Sequence, residues 1–338
     1  KRQLLVSYPS VDDRGASLLP ASFLVGTSLT ATQHQPATDP NERLEHARTA
    51  WHEHYTDHIS APMQDLLAPL LESYKLSATH LNNFVDISRG GPAMFLLHNL
   101  LRFPQAKSPN ASYGTAVHAA LQRAHNHLVA SGQRRPIEDV LGDFVKELAA
   151  QRLNDDDFAT LAQKGQDSLG AFLASHYASF SPKQKTELQF NNQGVELDGA
   201  RLTGSLDLVE IQDNAITVTD YKTGKASSTW AGRSDYEKIK LHKYKQQLMF
   251  YQLLVTHSRD YSKYTYADGV LQFVEPDAHG QIHDLSVVAS SEELAEFSKL
   301  IQAVWHCITS LEFPDASQFE PSYKGMLAFE KYLIDKYS

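Results

Sequence analysis

Apolar residues recur at the spacing of an α-helix through the first half of the chain. In such a helix, positions three and four apart share one face, and an apolar face packs against the rest of the protein. The pattern predicts a run of helices from residue 41 to residue 180. Its two clearest apolar stripes are Leu66, Leu67, Leu70, Leu71 and Tyr74, and Val117, Leu121, Ala124 and Leu128.

The pattern changes at residue 183, where short runs typical of strands alternate with Gly, Asn and Asp turns. We predict strands at residues 186–191, 195–197, 200–211 and 215–221. A helix is predicted next at 236–256, then strands at 269–274 and 282–288, then helices at 291–311 and 324–337. This order predicts an α/β fold in which a small sheet is flanked by helices, with a large helical N-terminal part.

The first forty residues differ from the rest. Residues 4–8 predict a short strand, residues 20–25 a short helix, and residues 31–41 have the Thr, Gln, Pro, Ala and Asp content of a linker. We therefore predict that residues 1–40 join an upstream module to one domain over 41–338. Its parts would be a helical part (41–180), a core (183–290) and C-terminal helices (291–338). Because the chain begins with Lys1, we expect a fragment of a longer protein.

Composition narrows the classes of protein that fit. With 42% hydrophobic and 21% charged residues among 338, the chain is expected to be globular. A net charge of −9 restricts any nucleic-acid surface to a local patch. The single cysteine, Cys307, excludes an internal disulfide, a Cys-rich zinc site and a four-cysteine iron–sulfur cluster. No apolar run would span a bilayer and no signal peptide is recognisable, so we expect a cytoplasmic protein without a membrane partner.

Candidate chemistry is concentrated in one predicted hairpin. Asp213 and Asn214 suit a two-residue turn, since both tolerate positive φ. Counting outward from that turn places Asp207 opposite Asp220, with their Cβ atoms about 5 Å apart. Lys222 follows on the same face as Asp220, because side chains alternate along a strand. Opposed carboxylates repel, so the pair requires a cation between them or a splayed, solvated arrangement.

Taken singly, these signals leave alternatives open. The hairpin could be a solvated one in which the carboxylates form salt bridges with Lys222 and do nothing else. His118, near the start of a predicted helix, suits a metal ligand but equally a surface histidine. Gln247 and Tyr251 share one face of a predicted helix, as ordinary packing residues also do.

Four segments taken together resemble the RecB-like branch of the PD-(D/E)xK nuclease superfamily. They stand in that family's order as Gly114-xxx-His118, Gly204-Ser-Leu-Asp207, Asp220-Tyr221-Lys222 and Gln247-xxx-Tyr251. The set is far more specific than any one of its members. The resemblance extends from about Leu76 to the end of the chain and implies a restriction-endonuclease-like core with a small mixed sheet.

The resemblance also implies a metal site. His118, Asp207, Asp220 and the backbone carbonyl of Tyr221 would bind Mg²⁺ or Mn²⁺, and Lys222 would orient or deprotonate the attacking water. Hard oxygen donors suit these cations, and a site that keeps open positions admits water and a phosphate oxygen. A soft, thiolate-based metal site is excluded.

Further matches lie outside this ligand set. Glu187 matches another acidic position of the family, and Gln247 and Tyr251 match the helix that lines the site and contacts nucleic acid. Gly91 stands where iron–sulfur members carry a cysteine, which implies that this chain holds no iron–sulfur cluster. Residues 4–24 resemble the passage from a UvrD/Rep-type helicase into its C-terminal nuclease, which implies a helicase motor in the parent chain.

A basic segment follows the hairpin. Residues 222–245 contain seven Lys or Arg against two acidic residues, which favours a phosphate track with aromatic side chains nearby to stack on unpaired bases. The alternative is a solvated, Lys-rich start of a helix. Besides Gln247 and Tyr251, the candidate DNA-binding residues are Lys225, Lys238, Lys240, Lys243 and Lys245.

These observations lead to one expectation and two alternatives. We expect a Mg²⁺- or Mn²⁺-dependent DNA nuclease, an exonuclease on single-stranded ends, serving a helicase–nuclease in DNA repair or recombination. The first alternative is a non-catalytic DNA-binding or scaffolding module with the same fold. The second is a nuclease unconnected to any helicase.

Overall fold

The computed structural model describes residues 63–338, together with Leu44, Glu45 and Ala47. The predicted N-terminal elements and linker of residues 1–40 lie outside the described residues. The helical part begins with α1 (Met63–Glu72), α2 (Ala78–Val85) and α3 (Gly91–Phe95), and a π-helical stretch (Leu96–Leu100) continues α3. It ends with α4 (Pro109–Ser131), α5 (Ile137–Ala150) and α6 (Asp155–His176).

Polar caps explain where several of these helices begin. Ser77 accepts a hydrogen bond from the backbone N–H of His80 at the start of α2, and Ser108 accepts one from Ala111 at the start of α4. Such side chains satisfy N–H groups that have no partner inside the helix. Gly132 ends α4 in the left-handed conformation, as is common for a residue that terminates a helix.

The main sheet has five strands in the order β1-β4-β5-β6-β7. Its strands are β1 (Gln184–Gln189), β4 (Ser205–Gln212), β5 (Ala215–Lys222), β6 (Thr265–Phe273) and β7 (Asp284–Val287). β5 and β6 are parallel and the other neighbours antiparallel, so the sheet is mixed, as expected. Two short strands, β2 (Glu196–Leu197) and β3 (Ala200–Arg201), pair with each other.

The hairpin register predicted from the turn is confirmed. Val209 pairs with Val218, and the turn residues Asp213 and Asn214 have φ values of 48° and 70°. Both turn residues are therefore in the left-handed region that a two-residue turn of this type requires. The turn thus determines which side chains of β4 and β5 face each other.

Helix α7 (Asp235–Thr256) connects β5 to the parallel strand β6. Parallel neighbours need such a crossover, because a short turn cannot return the chain to the same edge. After β7, α8 (Ser291–Ser310) and α9 (Tyr323–Tyr337) complete the chain. Ser290 and Glu293 form a reciprocal capping box that defines the start of α8.

Each face of the sheet covers a separate hydrophobic core. Val209 and Ile216 belong to a cluster that includes Phe250 of α7 and residues of α2, α8 and α9. Leu208 and Tyr221 belong to a second cluster, built with residues of α4, α5 and α6. The helical N-terminal part therefore covers both faces, with α2 and α3 on one and α4–α6 on the other.

The predicted strand over residues 200–211 is wrong as a single element. It is divided into β3 and β4, because Leu202 and Thr203 pair with Leu76, the residue before the cap of α2. Gly204 then lets the chain pass close to α7, since a Cβ atom there would lie 2.7 Å from Cδ1 of Leu254. Among the described residues, no helix is both long and apolar enough to cross a lipid bilayer.

Candidate active site

Three carboxylates lie side by side on adjacent strands at one end of the sheet. In the ladder between β1 and β4, Thr186 pairs with Leu208 and Leu188 with Leu206, so Glu187 between them lies across from Asp207. Extending the β4–β5 ladder by one residue places Asp207 opposite Asp220, as the turn predicted. A row of like charges is unfavourable unless cations offset it, so this arrangement implies a positive partner.

Glu187 occupies its place in an unusual backbone conformation. Its φ of 49° lies in the left-handed region, which costs a residue with a side chain about 1–2 kcal/mol. Ser205 donates a hydrogen bond from Oγ to Oε2 of Glu187 at 2.8 Å and holds the carboxylate. Strain of this kind persists where the surrounding structure enforces it, most often at functional sites.

His118 on α4 completes a group of possible metal ligands. One ligand atom from each of His118, Glu187 and Asp207 lies within 4.8 Å of the others. Nδ1 of His118 is 3.3 Å from Oδ2 of Asp207, and the same oxygen accepts a hydrogen bond from the backbone N–H of Tyr221 at 3.0 Å. Glu187 is thus a closer neighbour of His118 and Asp207 than the sequence indicated, whereas Asp220 lies outside this group.

Gly114 allows α4 to approach the sheet one turn before His118. A Cβ atom at this position would lie 3.1 Å from Oγ1 of Thr223, the residue after β5. The glycine of the Gly-xxx-His pattern therefore has a packing reason. It brings the helix close enough for the imidazole to reach the carboxylates.

Asp220 is held by a compact polar network. Nζ of Lys222 lies 2.6 Å from its Oδ2, as expected for two residues on one face of a strand. Its Oδ1 accepts hydrogen bonds from Gln247 at 2.9 Å and from the Tyr251 hydroxyl at 3.0 Å. Lys222 also donates to Oε1 of Gln247 at 2.7 Å and lies 4.6 Å from the ring centroid of Tyr244. The structure thus brings these sequence-identified residues together.

Burial and mutual charge shift the acid–base properties of the cluster. Burial, followed by the nearby Asp220 carboxylate, holds the pKa of Asp207 well above its usual value. Burial also lowers the pKa of His118, although Asp220 and Glu187 oppose that effect, so the imidazole is neutral at pH 7. A neutral imidazole is the form that binds metal.

Lys222 and Tyr251 respond to the same carboxylate. Burial is the largest single effect on Lys222 and would lower its pKa, but the charge and hydrogen bond of Asp220, together with Tyr244 and Asp207, leave that pKa raised. Burial and then Asp220 also raise the pKa of the Tyr251 hydroxyl well above its usual value. Lys222 is therefore charged and Tyr251 neutral at pH 7, which fits a cation and a donor directed at one buried carboxylate.

The donor set fits a hard divalent cation. Carboxylate oxygens and an imidazole suit Mg²⁺ or Mn²⁺, and no described thiol is near, because Cys307 is buried in the core around α8. His118, Glu187 and Asp207 are the residues that the geometry offers, with Asp220 beside them. A backbone hydrogen bond of Tyr221 also affects His118, so that peptide group borders the same site.

The predicted lysine track is largely paired within the chain. Nζ of Lys245 lies 2.8 Å from Glu293, Lys243 pairs with Asp86, and Lys225 lies 2.8 Å from Glu237. Lys240 donates to the backbone carbonyl of Lys225 at 2.9 Å, and burial lowers its pKa. Lys238 lies in the first turn of α7.

Two buried residues that the sequence analysis did not identify contact residues of β5 and α7. His125 is fully buried on α4, with Nε2 2.8 Å from the hydroxyl of Tyr221. Asp86, after α2, has a side chain only 3% exposed and pairs with Lys243. His125 lies seven residues after His118, two helical turns on, and this spacing was the one available signal. The sequence pattern gave none for Asp86.

A model of the PD-(D/E)XK nuclease superfamily matches residues 75–324, a range that contains every residue of this site. The chain belongs to that superfamily. Residues 220–222 read Asp-Tyr-Lys, a sequence that fits the D-x-K of the superfamily's name. Membership implies a metal-dependent nuclease, and the spacing within D-x-K explains why Asp220 and Lys222 meet on one face of β5.

Comparisons with individual proteins add little to this assignment. No curated protein matches the chain. Among solved structures, one described as "Crystal structure of SSO0001" shares 16% identity over 67% of this chain and 98% of its own, with a TM-score of 0.24. A likeness at that TM-score supports no conclusion about this chain.

Proposed function

We propose that this chain is a Mg²⁺- or Mn²⁺-dependent DNA nuclease. The observation that carries the proposal is the row of Glu187, Asp207 and Asp220 across three adjacent strands, with a neutral His118 at one end and a charged Lys222 at the other. A site of this composition is suited to phosphodiester hydrolysis, in which a water is activated and negative charge on phosphate is offset.

The residues divide this work between them. When bound, the divalent cation supplies Lewis-acid stabilisation of the phosphate charge and lowers the pKa of a water. Asp207, Glu187 and His118 would hold the cation, with Asp220 and the Tyr221 carbonyl completing the set. Lys222, which is charged, would orient the attacking water rather than accept its proton. Gln247 and Tyr251 are the remaining candidate catalytic residues. Their hydrogen bonds hold the side chains of Asp220 and Lys222 in place.

The finer assignment concerns the RecB-like branch of the superfamily. The ordered segments that contain His118, Asp207, Lys222 and Tyr251 support it, and the glycine at residue 91 supports a form without an iron–sulfur cluster. We accordingly propose an exonuclease on single-stranded ends that serves a helicase–nuclease in repair or recombination. In this proposal residues 41–338 form the nuclease domain, and residues 1–40 join it to a helicase motor.

The same proposal covers DNA binding and location. The DNA-binding residues would be Gln247 and Tyr251 together with the lysines of the track, of which Lys238 and Lys240 have no carboxylate partner among the ion pairs of the described residues. We place the activity in the cytoplasm, where a thiol such as that of Cys307 stays reduced.

The test is hydrolysis of end-labelled DNA by the purified chain with and without Mg²⁺ or Mn²⁺. Linear single strands should be degraded only with the cation, whereas circular single strands and blunt duplexes should be spared. Asp220→Asn should lower the rate by at least about 1,000-fold. The substitution removes the negative charge of the carboxylate that pairs with Lys222. Asp213→Asn, at the exposed turn of the same hairpin, is the matched control and should cleave like the parent.

The outcomes separate the alternatives. Cleavage of circular single strands would establish an endonuclease and refute the exonuclease assignment. Binding of single-stranded DNA without cleavage of any DNA would instead indicate a non-catalytic DNA-binding module. Cleavage that is unaffected by chelation of the cation would contradict the proposed chemistry altogether.

A further inference from the structure

A cavity lies between α2, α3 and the π-helical stretch. Its volume is about 360 Å³, and its lining includes Asn83, Asp86, Arg89, His98, Asn99 and Phe103. Ligand pockets range from about 300 to about 1,000 Å³, so this one suits a small group rather than a protein element. None of the metal-ligating candidates lines it.

Several polar groups that line this cavity have donor or acceptor atoms without a hydrogen-bond partner in the described part of the chain. Nδ1 of His98 is buried and has no hydrogen-bond partner among the described residues. Asn83 donates through Nδ2 to Oδ1 of Asn99 at 3.3 Å, which leaves its own oxygen and the Asn99 nitrogen to a ligand. That nitrogen has almost no accessible surface, so the asparagine groups are the ones that a ligand in the cavity can reach.

The cavity also has an aromatic and a cationic side. Phe103 is 58% exposed and Met94 37%, so both side chains are accessible at the cavity. The Arg89 side chain is 73% exposed. Asp86 would repel an anion, but Lys243 pairs with it and holds its pKa low against the effect of burial. Arg89 lies 3.9 Å from the same carboxylate, so two cations face one carboxylate and the net charge at the rim is positive.

Helix α7 connects the cavity to the active site. Lys243, Gln247 and Tyr251 are spaced four residues apart and therefore share one face of the helix. Lys243 contacts Asp86 at the cavity, whereas Gln247 contacts Asp220 and Lys222. Four residues of helix rise about 6 Å, so the two contacts lie roughly one nucleotide apart along α7.

We propose that this cavity binds one unpaired nucleotide of the DNA strand that the active site cuts. Phe103 stacks on the base, the Asn83–Asn99 pair binds the base edge, and Arg89 contacts the adjoining phosphate. The inference rests on the proposed nuclease function and adds to it a direction, since the strand would run from the carboxylates along α7 toward its N-terminus. Single strands fit because every base has a face for stacking, whereas a duplex hides its base edges.

The experiment measures DNA binding without cleavage, in the Asp220→Asn background. Labelled oligothymidylates of about 4 to about 16 nucleotides span the usual sizes of single-strand sites. Phe103→Ala should weaken binding by about 5- to 150-fold, the effect of losing one stacked base. Arg89→Gln should reduce the slope of log affinity against log salt by about 0.7, the value for one phosphate of a single strand.

An abasic scan identifies the nucleotide involved. In the parent background, removing one base at a single position of the oligonucleotide should weaken binding as much as Phe103→Ala does. In the Phe103→Ala variant, removal of that same base should have no further effect, since both changes delete one contact. Phe103→Leu keeps an apolar side chain without an aromatic face, and it should behave like the alanine variant.

Arg259→Gln provides the matched control for charge. Arg259 is 68% exposed, pairs with its neighbour Asp260 and does not line the cavity, so the salt slope should not change. If the parent chain cleaves DNA but the Phe103 and Arg89 variants bind like their background, the inference is overturned and the proposed function stands. Failure of the parent to bind or cleave any DNA overturns both.

Discussion

The buried His125 should make the stability of this protein depend on pH. It has no solvent exposure, stacks on Phe180 with ring centroids 3.7 Å apart and places Nε2 2.8 Å from the Tyr221 hydroxyl. Burial lowers its pKa from 6.5 to about 4, against a smaller opposing effect of Gln184. The folded protein therefore keeps this ring neutral at pH values where the unfolded chain protonates it.

The sign and size of the effect follow from that difference. Between pH 6.5 and about pH 4, the unfolded state binds a proton at His125 that the folded state does not. Stability is then lost as the pH falls, by about 1.4 kcal/mol per pH unit for one proton. Over the whole interval the loss amounts to roughly 3 kcal/mol.

The assay is denaturant unfolding of the parent and of His125→Gln at several pH values between about 7.5 and about 4.5. The variant loses the ring stacking, worth about 1 kcal/mol, but keeps a polar group for Tyr221. Its free energy of unfolding should therefore start lower and fall less steeply with acid. The difference in slope is the measured quantity, so contributions of other histidines cancel.

His127→Gln serves as the control, because His127 is exposed on the same helix. It should keep the slope of the parent. A His125→Gln variant with the parent slope would refute the reasoning, since it would show that His125 is not protonated on unfolding in this range.

Two further predictions concern the candidate active site. Lys222→Met should lower the free energy of unfolding by about 3–5 kcal/mol in cation-free buffer and abolish DNA hydrolysis. The reason is that it leaves the Asp220 carboxylate, only 3% exposed, without its cation. Unchanged denaturation and turnover would contradict the role of this ion pair. Glu187→Gly should be about 1 kcal/mol more stable than Glu187→Gln, because glycine adopts the left-handed conformation without strain. Both Glu187 variants should bind Mn²⁺ more weakly by calorimetry, and equal stability would show that the backbone is not strained.

Local geometry explains which parts of the site were predictable. The turn at Asp213 and Asn214 determines the register of its two strands, and strand alternation places Lys222 beside Asp220. These relations involve residues close in the chain, and their geometry depends on backbone sterics alone. The Gln247–Tyr251 face follows in the same way from the period of a helix.

Other features depended on contacts between distant segments. Lys243 and Lys245 look like free cations in the sequence, but the fold brings Asp86 and Glu293 against them. The left-handed conformation of Glu187 also has no local signal, because glutamate does not favour it. The division of the predicted strand over residues 200–211 arises likewise from pairing with Leu76, far away in the chain.

The sequence by itself thus determined the hairpin register, most of the helices and strands around it, and the set of ordered segments that resembles the superfamily. Only the tertiary structure decided that Glu187 joins His118 and Asp207, that His125 is buried behind Tyr221, and that a cavity lies beside Asp86. The physical reason is that periodicity and turn geometry act over a few residues. Burial, charge pairing and cavities instead result from packing between elements that the chain sequence separates.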